Sequence, residues 1–135
     1  MLRKFRMESG PHALGSRSII ADPRDPEMNA KVKCAVKFRE WWRPFAPSFK
    51  KEAAPDYLES VYDSSFMMLT AQVLPEKRSV IPSVTLRAIA GAPVVMNTSF
   101  NLRREAIVHT PSNAFRTFFS SRMDALVSGS FLIEK

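Results

Sequence analysis

An α/β domain (α+β in some schemes), a sheet covered by helices, is the fold class this sequence predicts. Three observations carry it. Short, largely apolar runs bounded by turn residues recur along the chain, two proline-initiated amphipathic helices fall among them, and ten prolines keep every element short. The 135 residues make a single domain, 1–135, long enough to bury roughly two-thirds of the unfolded surface. At 45% hydrophobic and 24% charged, the apolar content offsets the entropy of ordering, so the chain is expected to fold.

In chain order, Gly10 to Arg24 (GPHALGSRSIIADPR) crowds Gly, Pro, Ser and Arg ahead of the first helix, the composition of a loop that holds backbone close to a ligand. Asp25-Pro26-Glu27 signals a helix start, with Asp as cap and Pro at the first position. Met28, Val32, Ala35 and Val36 then form an apolar stripe to about residue 36, leaving Lys37 at or just past the end. In Ala35 to Phe49 (AVKFREWWRPFAPSF), Lys37, Arg39 and Arg43 lie among Phe38, Trp41, Trp42, Phe45 and Phe49. If this stretch is extended, Lys37 and Arg39 point one way and Phe38 the other, a two-cation clamp. Phe66 to Leu74, Pro93 to Met96, Ala106 to Val108 and Ala125 to Ile133 read as strands, with Gly129 dividing the last. Val94 to Asn101 (VVMNTSFN) opens an apolar strand into Asn97, Thr98, Ser99 and Asn101, and strand ends of this kind are where α/β sheets bind ligands. Thr110-Pro111 repeats the helix-start signal, with Ala114, Phe115, Phe118 and Phe119 as the apolar face of a helix ending near Arg122.

Lys and Arg number 20 against 13 Asp and Glu, a net charge of +7, which favours anionic partners. A nucleic-acid groove, a small phosphorylated ligand and a solvated aromatic surface all fit the cations of Ala35 to Phe49. No run reaches the ~18 apolar residues of a membrane span, and MLRKFRMESG lacks the apolar core of a secretory signal, so the expected location is the cytoplasm without membrane contact. Cys34 is the sole cysteine, which excludes an intrachain disulfide and a cysteine-based zinc site. His12 and His109 lie far apart with no carboxylate at ligand spacing, so no metal is expected. Glycine-rich phosphate loops, H-E-x-x-H and a nucleophile elbow are all missing from the sequence.

The longer stretches are more specific. FRMESGPHALGSRSIIADPRDPEMNAKVKCAVKFREWWRPFAPSF and GAPVVMNTSFNLRREAIVHTP closely resemble the carboxy-terminal domain of the ATP-dependent O-carbamoyltransferases. That family includes nodulation-factor and antibiotic carbamoyltransferases. Its pattern runs R-M-E-F-G-P-R-A-L-G-N-R-S-I-L-A-D-P-R, then K-F-R-E, R-P-F-A-P-S and V-P-V-V-L-N-T-S-F-N. The resemblance implies a YrdC-like three-layer domain, a mixed twisted sheet with flanking helices, whose K-x-R and S-x-N signatures grip a nucleotide. Here those are Lys37 and Arg39, with Ser99 and Asn101. It implies transfer of a carbamoyl group from ATP-derived carbamoyl adenylate to an acceptor hydroxyl, with no metal in this domain. Lys37, Arg39 and Arg43 would hold the adenylate phosphate and the carbamoyl oxygen, and Ser99 and Asn101 would orient the reacting group. Lys37, Arg39 and Ser99 are the implied catalytic set, and Arg17 and His12 join the nucleotide-binding residues.

Departures from the pattern qualify that role. His12 stands where the pattern has Arg, which removes a cation, and Arg104 stands where it has Gly, a residue suited to positive φ. Between about residues 85 and 91 the chain is shorter than the pattern by two to three dozen residues. The adenylate-making amino-terminal domain is expected as a separately encoded partner. A non-catalytic remnant or regulatory nucleotide-binding module is the alternative, and a basic RNA-binding domain is a further one, disfavoured because the basic residues are scattered. Apolar surface bared by the shortening would favour a homodimer.

Overall fold

A computed structural model of the chain describes residues 7–10, 12–38, 40, 45–62, 64–83, 87–88 and 94–135. The strands are β1 (Ser18–Ala21), β2 (Ala46–Ser48), β3 (Ala71–Gln72), β4 (Arg87–Ala88), β5 (Val95–Ser99), β6 (Ala125–Ser128) and β7 (Phe131–Glu134). Two α-helices, α1 (Met28–Val32) and α2 (Pro111–Phe119), accompany them, and α1 runs on into a π-helical turn, Lys33–Lys37. This is the mixture of helices and strands that the α/β class implies.

β5 is the centre of a three-stranded sheet in the order β1-β5-β2, antiparallel on both sides, with Ser18 opposite Ser99, Ile20 and Ala46 opposite Asn97, and Pro47 opposite Met96. Pro47 cannot donate to a ladder, which fits β2 at a sheet edge. β3 pairs with β4 and β6 with β7, so every pairing among the described residues is antiparallel, where a mixed sheet was expected. The central sheet is apolar on one face: Met96 packs with Val32 and Phe45, and Ile19 joins Val36, Phe100, Val108, Ala114, Phe118 and Leu126. A further cluster gathers Phe49, Ala54, Leu58, Val73 and Ile81. Each of these fully buried large side chains contributes about 1.5–3 kcal/mol of transfer free energy.

Several local expectations are corrected. α1 begins at Met28 after an N-cap at Glu27 whose side chain makes no capping bond. Asp25 instead accepts the Glu27 N–H at 2.9 Å and Lys31 Nζ at 2.7 Å, so it closes the turn before the helix. The strand expected over Phe66 to Leu74 shrinks to Ala71–Gln72 with an isolated bridge from Val73 to Leu58. Met67 has φ 57° and Ser64 Oγ accepts the Leu69 N–H, a turn geometry no strand can contain. Ala106 to Val108 forms no strand, and the Val108 N–H makes a single backbone bond to the Phe100 carbonyl. β5 starts at Val95 and absorbs Asn97, Thr98 and Ser99, because β1 pairs with all three and β2 also pairs with Asn97. Pro93 lies outside the described residues.

The other signals hold. Gly129, at φ 63°, turns the chain between β6 and β7. Thr110 caps α2: its Oγ1 accepts the Asn113 N–H, and Asn113 Oδ1 accepts the Thr110 N–H, each at 3.2 Å. α2 ends at Phe119, earlier than expected, and buries Ala114 and Phe118 while Phe115 and Phe119 stay exposed.

Candidate functional site

The π-helical turn after α1 widens the helix just before it ends, and Phe38 terminates it in the left-handed region, φ 46° and ψ 50°. Lys37 and Phe38 are therefore not extended, and the alternation behind the expected clamp does not occur there. A different arrangement takes its place. The buried Lys37 side chain reaches across to the end of β5. Its Nζ donates to the Ser99 carbonyl, and it lies 3.2 Å from Ser99 Oγ, 3.0 Å from the Asn101 carbonyl and 2.7 Å from Asn101 Oδ1. Ser99 Oγ also donates to Asn101 Oδ1 at 2.7 Å. An ammonium has three N–H donors, so four oxygens around it share them.

The loop after β5 is braced from its far end. Asn101 Nδ2 donates to the Glu105 carbonyl at 2.7 Å, and Glu105 Oε2 accepts the Leu102 N–H at 3.2 Å and faces Thr117 Oγ1 of α2 at 3.5 Å. Arg104, within this turn, has φ 66°, the conformation its position was expected to require. A non-glycine residue held there costs on the order of 1 kcal/mol, and the surrounding bonds hold it in place.

Side chains alternate along a strand, so Asn97 and Ser99 share the face of the sheet opposite the apolar one. The register adds Ser18 and Ser48 to that face, with Ile20 and Ala46 flanking Asn97. A loop over residues 12–16 crosses it: Asn97 Nδ2 donates to the Ala13 carbonyl at 3.2 Å, and Ser18 Oγ accepts the Gly15 N–H at 3.0 Å. Gly15 takes φ 113°, which a side chain would strain. Glu8 secures the loop, its Oε1 accepting the N–H groups of Leu14 and Ser16. Burial alone would raise the Glu8 pKa, but the hydrogen bonds from Ser16 and Leu14 outweigh it and hold the carboxyl below its usual 4.5.

Of the residues named from sequence, Lys37, Ser99 and Asn101 come together. Arg17 is buried just before β1; its carbonyl accepts the Phe100 N–H at 2.8 Å and its Nη1 donates to the Ser16 carbonyl at 3.2 Å. His12 is exposed at the start of the 12–16 loop. Arg39 and Arg43, with Trp41 and Trp42, lie outside the described residues. Sequence reasoning missed the structural parts of Glu8, Glu105 and Asn97. Glu8 and Glu105 bond mainly to backbone, which leaves no compositional trace.

A groove of about 940 Å³ lies between β1, α1 and β6, lined by Ile20, Val32, Val36, Cys34, Leu126 and Met123 among others. It is mostly apolar and does not include Lys37, Ser99 or Asn101. Among the described residues no three His, Cys, Asp or Glu side chains come together as a metal group, and no helix is long and apolar enough to cross a membrane.

Compared with known families, the chain matches Carbamoyltransferase C-terminus over residues 2–88 and 85–135. It belongs to that family. The nodulation protein NolNO of Sinorhizobium fredii is 36% identical over 158 residues, covering 96% of this chain and 23% of that protein. The nodulation protein NolO of Bradyrhizobium diazoefficiens is 35% identical over 158 residues, covering 96% and 29%. Nodulation protein U of Rhizobium tropici is 40% identical over 79 residues, covering 58% of the chain and 14% of that protein. This carbamoyltransferase carboxy-terminal chain thus spans about a quarter of the length of the NolNO and NolO relatives it matches.

Proposed function

We propose that this domain binds carbamoyl adenylate and transfers its carbamoyl group to an acceptor hydroxyl. The observation that carries the reading is the convergence of buried Lys37 with Ser99 and Asn101 at the end of β5. In the reaction the acceptor oxygen bonds to the carbamoyl carbon, the bond from that carbon to the phosphate oxygen breaks, and AMP leaves with the electron pair while the hydroxyl proton passes to solvent. Negative charge grows first on the carbamoyl oxygen and then on the phosphate. An ammonium already desolvated and aimed by protein oxygens stabilises both without reorganising. The ligand oxyanion would take the place of Asn101 Oδ1, freeing that amide to orient the reacting group beside Ser99. Arg39 and Arg43 would complete the cationic wall, with Arg17 and His12 at the nucleotide end. The YrdC-like fold belongs to the same reading.

The far greater length of the NolNO and NolO relatives supports an amino-terminal region, on the same polypeptide or on a separate one, as the source of the ATP-derived adenylate. A second reading, a nucleotide-binding module without transfer activity, is favoured by the family match falling in two pieces that meet at residues 85–88. It fits a domain shortened between about 85 and 91.

Isothermal calorimetry with AMP tests both. The wild type should bind, and Lys37→Met should weaken binding at least about tenfold through loss of a charge-assisted bond, while Lys37→Arg keeps part of it. Absence of wild-type binding at millimolar AMP would end both readings. Transfer of label from carbamoyl adenylate to added hydroxyl acceptors then separates enzyme from module.

A further inference from the structure

We infer that Asn97 reads an amino group carried on an sp² carbon of the ligand, the chemistry shared by a carbamoyl group and by adenine. This inference rests on the proposed nucleotide role of the domain. Asn97 sits in the middle of the central strand and is only 9% exposed. Its carboxamide is oriented by its own donors: Nδ2 donates to the Ala13 carbonyl at 3.2 Å and lies 3.5 Å from Ser48 Oγ. Flipping the amide would set two carbonyl oxygens against each other, so the oxygen faces the other way. There Oδ1 is buried and has no hydrogen-bond partner among the described residues.

A buried acceptor left unpaired is costly, and native proteins keep few of them without a reason. The side chains directly opposite cannot relieve it: they are Ile20 on β1 and Ala46 on β2, which carry no polar atoms. The serine hydroxyls on the same face make no bond to it either.

Asn97 is two residues from Ser99 on the same face, about 7 Å along the strand. A ligand whose anionic part is held by Lys37 and Ser99 could thus present a second group to Asn97 within its own length. The 12–16 loop lies over this face, turns at Gly15 and is tied down by Glu8. Asn97 is in this sense a specificity-determining residue: an NH₂ satisfies Oδ1, whereas a carbonyl or a methyl in its place leaves Oδ1 repelled or unpaired.

Two probe pairs differ at that group, the purine pair also at the adjacent ring nitrogen, which accepts in AMP and donates in IMP. AMP has an amino group where IMP has a carbonyl, and carbamoyl phosphate has one where acetyl phosphate has a methyl. Calorimetry on the full chain should show a preference of about tenfold or more for the amino-bearing member of one pair, and the pair that shows it identifies the source. Asn97→Leu should reduce that preference to within about twofold, and Ser48→Ala, which leaves Oδ1 untouched, should retain it. Asn97→Ser, which shortens the side chain out of reach, supplies the same comparison if the leucine variant fails to fold. Equal wild-type affinities within both pairs, or a preference that survives both Asn97 substitutions, would overturn the inference while leaving the nucleotide reading standing. Wild-type protein that binds none of the four probes would overturn both.

Discussion

Lys37 is one of 20 lysines and arginines, and its sequence neighbours taken alone favour a solvated cation over a ligand clamp. Its position at the end of a helix followed from the apolar stripe; its oxygen cage did not, because Ser99 and Asn101 lie more than sixty residues away. Glu8 makes the same point with a measurable consequence. Its folded pKa lies below 4.5, so its contribution to stability is fully present above that value and is lost as pH falls through the lowered folded value. In urea titrations, Glu8→Gln should be less stable than the wild type at pH 7. The gap should close as the pH is taken from about 5 to 3, and a constant gap would mean that the carboxylate's bonds to the 12–16 loop are not what it contributes.

Among the elements, α2 was the most legible, because its start is written locally in Thr110, Pro111 and Asn113. Thr110→Ala should destabilise the domain by about 1 kcal/mol in urea unfolding and leave AMP affinity unchanged, since the cap is remote in role from Lys37. The strands were less legible. Phe66 to Leu74 has strand composition, yet Met67 at positive φ and the Ser64 turn divide it, and only Ala71–Gln72 finds a partner in β4. Conversely, Asn97 to Ser99, polar residues at the end of an apolar run, belong fully to the strand, because β1 pairs with all three and β2 also pairs with Asn97. Strand identity depends on a partner, and the partner is a tertiary fact. The π turn of Lys33–Lys37 is likewise invisible to a 3.6-residue period, although it sets where Lys37 points.

For the whole molecule, the basic residues behind the net charge of +7 are scattered along the chain and not gathered in one run. AMP binding should therefore weaken only severalfold between about 20 and 300 mM salt, as exposed charges are screened while the buried Lys37 contact persists. A slope as steep as several phosphate contacts produce, together with tighter binding of RNA than of AMP, would instead favour the basic nucleic-acid reading.

The sequence by itself determined the family, the mixture of helices and strands, the helix start at Thr110, the turn at Gly129, the need for positive φ at residue 104, and the pairing of a lysine with an S-x-N segment. These are carried by long motifs and by local backbone chemistry, which do not depend on what lies across the fold. Only the tertiary structure decided that Lys37 lies in a π turn rather than an extended clamp, that Asn97 shares a polar face with Ser99 under the 12–16 loop, and that the Asn97 oxygen has no donor among the described residues. Each of those depends on which distant backbone arrives beside it, and a linear pattern of residue types does not encode that arrival.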